Sequence, residues 1–235
     1  MVKHYKKEDN HSYTLGTTLT IELLKTQPDK VVTVYYHSQL RDLGVIEPLC
    51  REHNIPLVQS DKPFNILSQK ENCFVIGEFV KSSYTLDPKA NHVVLVNPSN
   101  AGNLGTILRS MAGFGVTDLA IISPAVDIYD PKTVRSSMGA LFHINFVYFD
   151  DFADYVRVAG ERAFYPFMLK AKSTLKQLDP EYPCSLIFGN EATGLPDSYL
   201  EIGTPVIIRH TDNIDSLNLP IAASIALFQV FSEKD

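Results

Sequence analysis

Cysteine is scarce in this chain, basic residues are outnumbered, and apolar runs are short; each shortage closes off a class of protein. Cys50, Cys73 and Cys184 are the only cysteines among 235 residues, widely spaced and without a CxxC pair. An odd, scattered set supports neither a disulfide framework nor a structural zinc site, and fits a reducing cytoplasm. The histidines show no HxxxH or HxH spacing, so no metal is expected. Twenty-one Lys and Arg stand against 27 Asp and Glu, a net charge of −6, so the overall basic footprint of non-specific nucleic-acid binding is missing. Lys3, His4, Lys6 and Lys7 form a local basic group that is either an interaction patch or a frayed, solvated end. The opening MVKHYKKEDNHSY has no apolar core of signal-peptide type, and no later stretch is long enough for a membrane-spanning helix. Three familiar motifs are also missing. Gly102-Asn103-Leu104-Gly105 does not supply a GxGxxG turn, no glycine-lysine-serine/threonine P-loop ending occurs, and Ser216 has no GxSxG elbow.

What is present is a 45% hydrophobic composition, enough for a globular protein of one or two domains with a substantial core. Strands are expected at 31–36, 55–59 and 73–79, with helices near 46–53 and 63–69, a small α/β unit. A polar run, KSSYTLDPKANH (81–92), follows and marks a boundary: a small domain over 1–83, a linker over 84–92, and a second domain over 93–235. In that second domain strands at 93–96, 119–123, 144–149, 164–169, 186–188 and 206–208 alternate with helices at 104–114, 134–137 and 152–158, which implies a parallel sheet with crossover helices. The chain closes in an apolar helix over 219–231 whose small residues and many-sided apolarity point to burial, against its own domain or a second subunit.

Three polar clusters stand at strand ends, where ligands bind in open α/β sheets. NPSNAGNLGTILRS (97–110) leaves an apolar strand and opens into a helix. Gly102 and Gly105 allow close backbone approach, and the free N–H groups of a helix start suit an anion such as phosphate. The competing reading is an ordinary loop with Asn103 as N-cap and Arg109 on the surface. LIFGNEATGLP (186–196) adds glycines and the carboxylate of Glu191, and IIRHTDNIDSLNLP (207–220) places Ser216 and Asn218 around Leu217.

In this order the clusters resemble the three motifs of the SpoU, or TrmH-like, branch of the SPOUT RNA methyltransferases. The resemblance runs over Val93 to Phe231 and falls on Asn103, Gly105 and Arg109, then Gly189 and Glu191, then Ser216, Leu217 and Asn218; VRSSMGALF (134–142) is a fourth, weaker likeness. It implies a trefoil-knotted α/β domain that carries S-adenosylmethionine and methylates a ribose 2′-hydroxyl. The cofactor contacts carry over onto Gly189, Ile208 and Leu217, flanked by Phe188 and Asn190. Arg109 inherits the acceptor hydroxyl, as base or as electrostatic stabiliser. Free arginine has a pKa above about 12, so the first role needs a strongly perturbed site. Asn103 inherits the holding of Arg109 and RNA, Glu191 the ordering of the site by pairing with the arginine or the backbone, and Ser216 and Asn218 the third loop.

The amino-terminal unit is similar in element order to the ribosomal-protein-like RNA-binding domain that often precedes this fold, with its leading helix shortened before Leu15-Gly16. The resemblance therefore favours ribosomal over transfer RNA as substrate and a homodimer as assembly. The alternative is an RNA-binding or assembly factor that keeps the fold without methylating. Ile208-Arg209-His210 departs from the family's usual Ile-Pro-Met, at the rim of the cofactor pocket or at a dimer contact.

Overall fold

A computed structural model describes residues 2–67 and 73–232 and divides them into two compact units. The first contains β1 (His11–Leu15), α1 (Thr17–Thr26), β2 (Val31–Tyr36), α2 (Ile46–Glu52), β3 (Leu57–Gln59), α3 (Lys62–Leu67) and β4 (Val75–Val80). Its sheet runs β1-β4-β2-β3, with β4 antiparallel to both neighbours and β2 parallel to β3. The last two residues of the expected 63–69 helix, Ser68 and Gln69, lie outside the described residues.

β1 and α1 are additions to the elements expected from sequence. β1 is covered on both faces: Tyr13 and Leu15 pack into an apolar cluster, while Ser12 and Thr14 on the other face are fully buried. Each buried hydroxyl finds a partner. Ser12 donates to the Tyr129 carbonyl at 2.6 Å, while Thr14 Oγ1 lies 2.7 Å from Thr20 Oγ1 and accepts from the Gly77 N–H at 2.9 Å.

The second unit starts at Ser83. The chain continues through β5 (His92–Val96), α4 (Ala101–Gly113), β6 (Asp118–Ile122), α5 (Pro131–Ser136), β7 (Asn145–Phe149), α6 (Phe152–Ala159), β8 (Ala163–Pro166), β9 (Ser173–Thr174), β10 (Cys184–Phe188), β11 (Val206–Ile207) and α7 (Leu219–Phe231). The expected parallel sheet is present, five strands in the order β7-β6-β5-β10-β8, and β9 pairs with β11 in a small parallel ribbon. The run 127–143, which includes α5 and the VRSSMGALF likeness, belongs to the first unit, whereas the sequence placed it in the second domain. Asp130 caps α5 by accepting from the Lys132 N–H, and Pro131 occupies the first turn, where its missing donor costs nothing.

β5 is the switch point of the sheet: β6 and β7 extend to one side of it, β10 and β8 to the other. The loops leaving β5 and β10 are therefore neighbours although about 90 residues separate them in sequence. Behind the sheet, Val94, Ala120, Tyr155, Ala159 and Ile187 form a buried core. His92 is buried at its edge in a directed chain of hydrogen bonds. Arg162 donates to Ser185 Oγ (3.3 Å), Ser185 Oγ and the Tyr155 hydroxyl are 2.6 Å apart, Tyr155 is 2.9 Å from His92 Nδ1, and His92 Nε2 is 2.8 Å from the Asp87 carbonyl. Because a carbonyl only accepts, Nε2 carries the proton and Nδ1 accepts from Tyr155. The polar run 84–92 is anchored at this same point, and its Asp87 N–H donates to Asp118 at 2.8 Å.

Several limits move. α4 begins at Ala101 rather than at 104, because Asn100, not Asn103, is its N-cap, accepting from the Asn103 N–H at 3.0 Å. β8 ends at Pro166 rather than at 169: the Phe167 N–H still donates to the Ile187 carbonyl at 2.8 Å, but the Met168 N–H donates to the Val206 carbonyl at 2.9 Å, so the chain leaves β10 for β11.

Candidate active site

The end of β10 enters a tight turn. Gly189 has glycine's size for a reason internal to the protein: a Cβ there would lie 2.2 Å from the Gly194 carbonyl carbon and 2.3 Å from the Leu195 nitrogen. The sequence assigned that space to an approaching cofactor; the structure fills it with the returning chain. Asn190 shapes the same turn. Its Oδ1 accepts from the Ala192 and Thr193 N–H groups at 2.9 and 3.2 Å, and its Nδ2 donates to the Asn97 carbonyl at 2.8 Å, tying the β10 loop to the β5 loop.

Glu191 crosses to the β5 side. Its carboxylate accepts from the Ser99 N–H (3.0 Å) and hydroxyl (2.8 Å), the Asn100 N–H (3.1 Å) and Asn103 Nδ2 (3.1 Å). The anion expected at the start of α4 is thus supplied by the protein itself. Partial burial opposes ionisation of Glu191. Hydrogen bonds from its own backbone N–H and from Ser99 and Asn103 outweigh that cost and hold its pKa below the usual value. Gly102 and Gly105 lie inside α4, not in a loop that cradles a ligand, and Gly105 is buried.

Next to this cluster is a cleft of about 320 Å³. Phe188, Gly189, Asn190, Glu191, Ile208, Ser216 and Leu217, all named from sequence, line it. The structure adds Phe167, which stacks on Phe188 with ring centroids 4.6 Å apart and planes 15° apart. It also adds Lys170 and Asp197, paired at 2.7 Å; His210, for which the sequence left open the pocket rim or a dimer contact, lines the cleft as well. Phe167 follows directly on β8, whose end lies beside that of β10; the rule that ligands gather at strand ends could have singled it out.

Asn103, Arg109 and Asn218 do not line the cleft. Arg109 is exposed on α4 and makes no hydrogen bond or ion pair among the described residues. Asn103 does not hold it: six residues apart, the two side chains leave the helix at directions about 120° apart, and the Asn103 amide is engaged by Glu191. Glu191 does not pair with the arginine either. Asn218 precedes α7 and Ser216 lies in the loop before it; neither side chain caps the helix. α7 packs on α4, where Ser110 and Ser224 hydroxyls meet at 2.6 Å and Phe114 lies edge-on to Phe228.

Fold and site together define an α/β protein with a part-apolar cleft beyond the ends of β8 and β10 in a parallel sheet, and, on α4, a guanidinium without a hydrogen bond or ion pair among the described residues. Residues 90–228 match the SpoU rRNA Methylase family. The chain belongs to that family. It is 30% identical over 154 residues to the 23S rRNA (uridine(2479)-2′-O)-methyltransferase of Streptomyces viridochromogenes, covering 60% of this chain and 52% of that protein. To the 23S rRNA (guanosine(2553)-2′-O)-methyltransferase RlmP of Bacillus subtilis it is 26% identical, over 60% and 58% of the two chains. The chain thus spans about half the length of these curated relatives. Among solved structures, the AdoMet-bound rRNA methyltransferase of Sinorhizobium meliloti superimposes with a TM-score of 0.79 at 26% identity, over 94% of this chain and 86% of that one. A structure concerned with the 2-OH methylation of C/U34 on tRNA matches 62% of this chain and 96% of its own, with a TM-score of 0.57 at 25% identity.

Proposed function

We propose that this protein transfers the methyl group of S-adenosylmethionine to a ribose 2′-hydroxyl of structured RNA, ribosomal rather than transfer RNA. One observation carries the reading. All five residues assigned to the cofactor, Phe188, Gly189, Asn190, Ile208 and Leu217, line one cleft, and Glu191 joins that cleft to the helix that bears Arg109.

The residues present fit the cofactor. Phe188, Ile208 and Leu217 offer apolar wall to an adenine ring and a methionine chain, while the turn at 189–195 supplies backbone polar groups. The volume lies at the lower end of the range for ligand sites. When bound, the cofactor supplies an activated methyl group. The protein's part is positioning. Glu191, fixed by donors from Ser99, Asn100 and Asn103, locks the cleft's edge against the first turn of α4. Arg109, with no hydrogen bond or ion pair among the described residues, presents the forked donors that suit a phosphate, and the role assigned to it is to orient the RNA and stabilise charge developing on the acceptor oxygen. Asn218, with its side chain unspent on capping, takes part in placing the acceptor, and Ser216 supports the third loop.

The preference for ribosomal RNA rests on the α/β unit that precedes the methyltransferase domain, since relatives are named for both RNA classes. The trefoil knot is part of the same proposal, supported by β10 lying between β5 and β8 and by the close return of the chain over Gly189. A homodimer is supported by α7, which leaves Ile221, Ile225 and Phe228 exposed at i, i+4 and i+7, one apolar stripe. Three buried thiols support a reducing, cytoplasmic setting, and no helix among the described residues is long and apolar enough to cross a membrane.

The test is calorimetric titration of the purified protein and its Leu217→Arg variant with S-adenosylmethionine. Saturable binding that the variant loses is the expected result. Absence of binding by the folded wild type would overturn the enzymatic reading and leave an RNA-binding protein of the same fold.

A further inference from the structure

His210 lines the cleft, and its Nε2 is buried with no hydrogen-bond partner. A buried polar atom without a partner costs free energy, so such an atom calls for an explanation. The other ring nitrogen, Nδ1, lies 3.1 Å from the Thr211 carbonyl. A carbonyl only accepts, so Nδ1 carries the proton of the neutral ring and Nε2 is left as a bare acceptor. What is missing at this place is therefore a donor.

We infer that His210 Nε2 accepts a hydrogen bond from the bound cofactor, making this histidine a binding residue where the resembling family usually carries methionine. The inference rests on the cofactor reading of the cleft. S-adenosylmethionine offers donors of the required kind in its exocyclic amine, ribose hydroxyls and ammonium group, and a methionine side chain could not accept comparably.

Other charged groups of the cleft are Lys170 and Asp197, paired with each other, and Glu191, engaged by Ser99, Asn100 and Asn103; Arg209 and Asp212 are close in the chain. All of these are common to the wild type and a His210 variant, so the difference between the two isolates the ring.

The experiment is calorimetric titration with S-adenosylmethionine, and separately with S-adenosylhomocysteine, of the wild type, His210→Met and His210→Gln at pH 8. The methionine variant should bind both ligands about tenfold more weakly, while glutamine, whose amide oxygen accepts, should stay within about threefold of wild type. A loss in the methionine variant confined to S-adenosylmethionine would assign the effect to the sulfonium and overturn the hydrogen bond. Equal affinities in all three proteins would overturn the inference while leaving the cleft as cofactor site. A wild type that binds neither ligand would overturn both.

Discussion

Acid should destabilise the second unit through one residue, His92. Burial first, and the nearby Arg162 charge second, outweigh the favourable Asp87 carbonyl and lower its pKa from 6.5 to about 4. Between those values the unfolded chain binds a proton that the folded chain refuses, so stability must fall as pH drops through that window. The complete shift corresponds to about 3 kcal/mol below pH 4, of which about 2 kcal/mol is lost by pH 5 relative to pH 8. The hydrogen-bond chain explains why the ring resists. A proton on Nδ1 would force the Tyr155 hydroxyl to accept instead of donate, and Ser185, already accepting from Arg162, would lose the acceptor for its own proton. The assay is urea unfolding at pH 5 to 8 of wild type and His92→Gln, followed by hydrogen exchange of β5 and β10 amides, because a chain of two units need not unfold in one step. Glutamine can donate to Asp87 but cannot titrate. The wild type should therefore lose about 2 kcal/mol more than the variant between pH 8 and 5. Parallel profiles would refute the reasoning.

Three further outcomes are expected. Arg109→Ala should abolish methyl transfer and leave S-adenosylmethionine affinity within about twofold, since the side chain is exposed and does not line the cleft; lost affinity with normal turnover would reverse its assignment. Gly189→Ala should destabilise the second unit by about 3 kcal/mol or more and weaken cofactor binding, because the added carbon meets backbone rather than a side chain that can swing away; a variant as stable as wild type in urea would contradict the close approach. Phe228→Glu should convert a dimer to monomer in sedimentation equilibrium, and an unchanged oligomeric state would remove α7 from the interface.

Much of the fold was legible in the sequence. The apolar strands of the second unit are buried on both faces and read as continuous runs, and the closing helix at 219–231 was bounded to the residue because Asn218 and Pro220 mark its start. β1 escaped notice because only Tyr13 and Leu15 of its five residues are apolar and its other face buries hydroxyls, and α5 was clipped because its first turn is carried by Asp130 and Pro131 rather than by apolar residues. The cleft residues were legible through motif resemblance, and His210 was left between the pocket rim and a dimer contact because this chain departs there from the resembling pattern; Phe167, which follows an edge strand, was not assigned to the cleft.

Local pattern by itself determined the α/β class, the parallel sheet and the three polar strand ends, because period and punctuation are properties of neighbouring residues. Tertiary structure alone decided that Glu191 takes the start of α4, that Gly189 yields to the chain rather than to a ligand, that residues 127–143 join the first unit, and that Arg109 is exposed and unpaired among the described residues. Glu191 and Ser99 meet across 92 positions only because β10 lies against β5, and strand order is settled by how whole elements share a core, which no local period encodes.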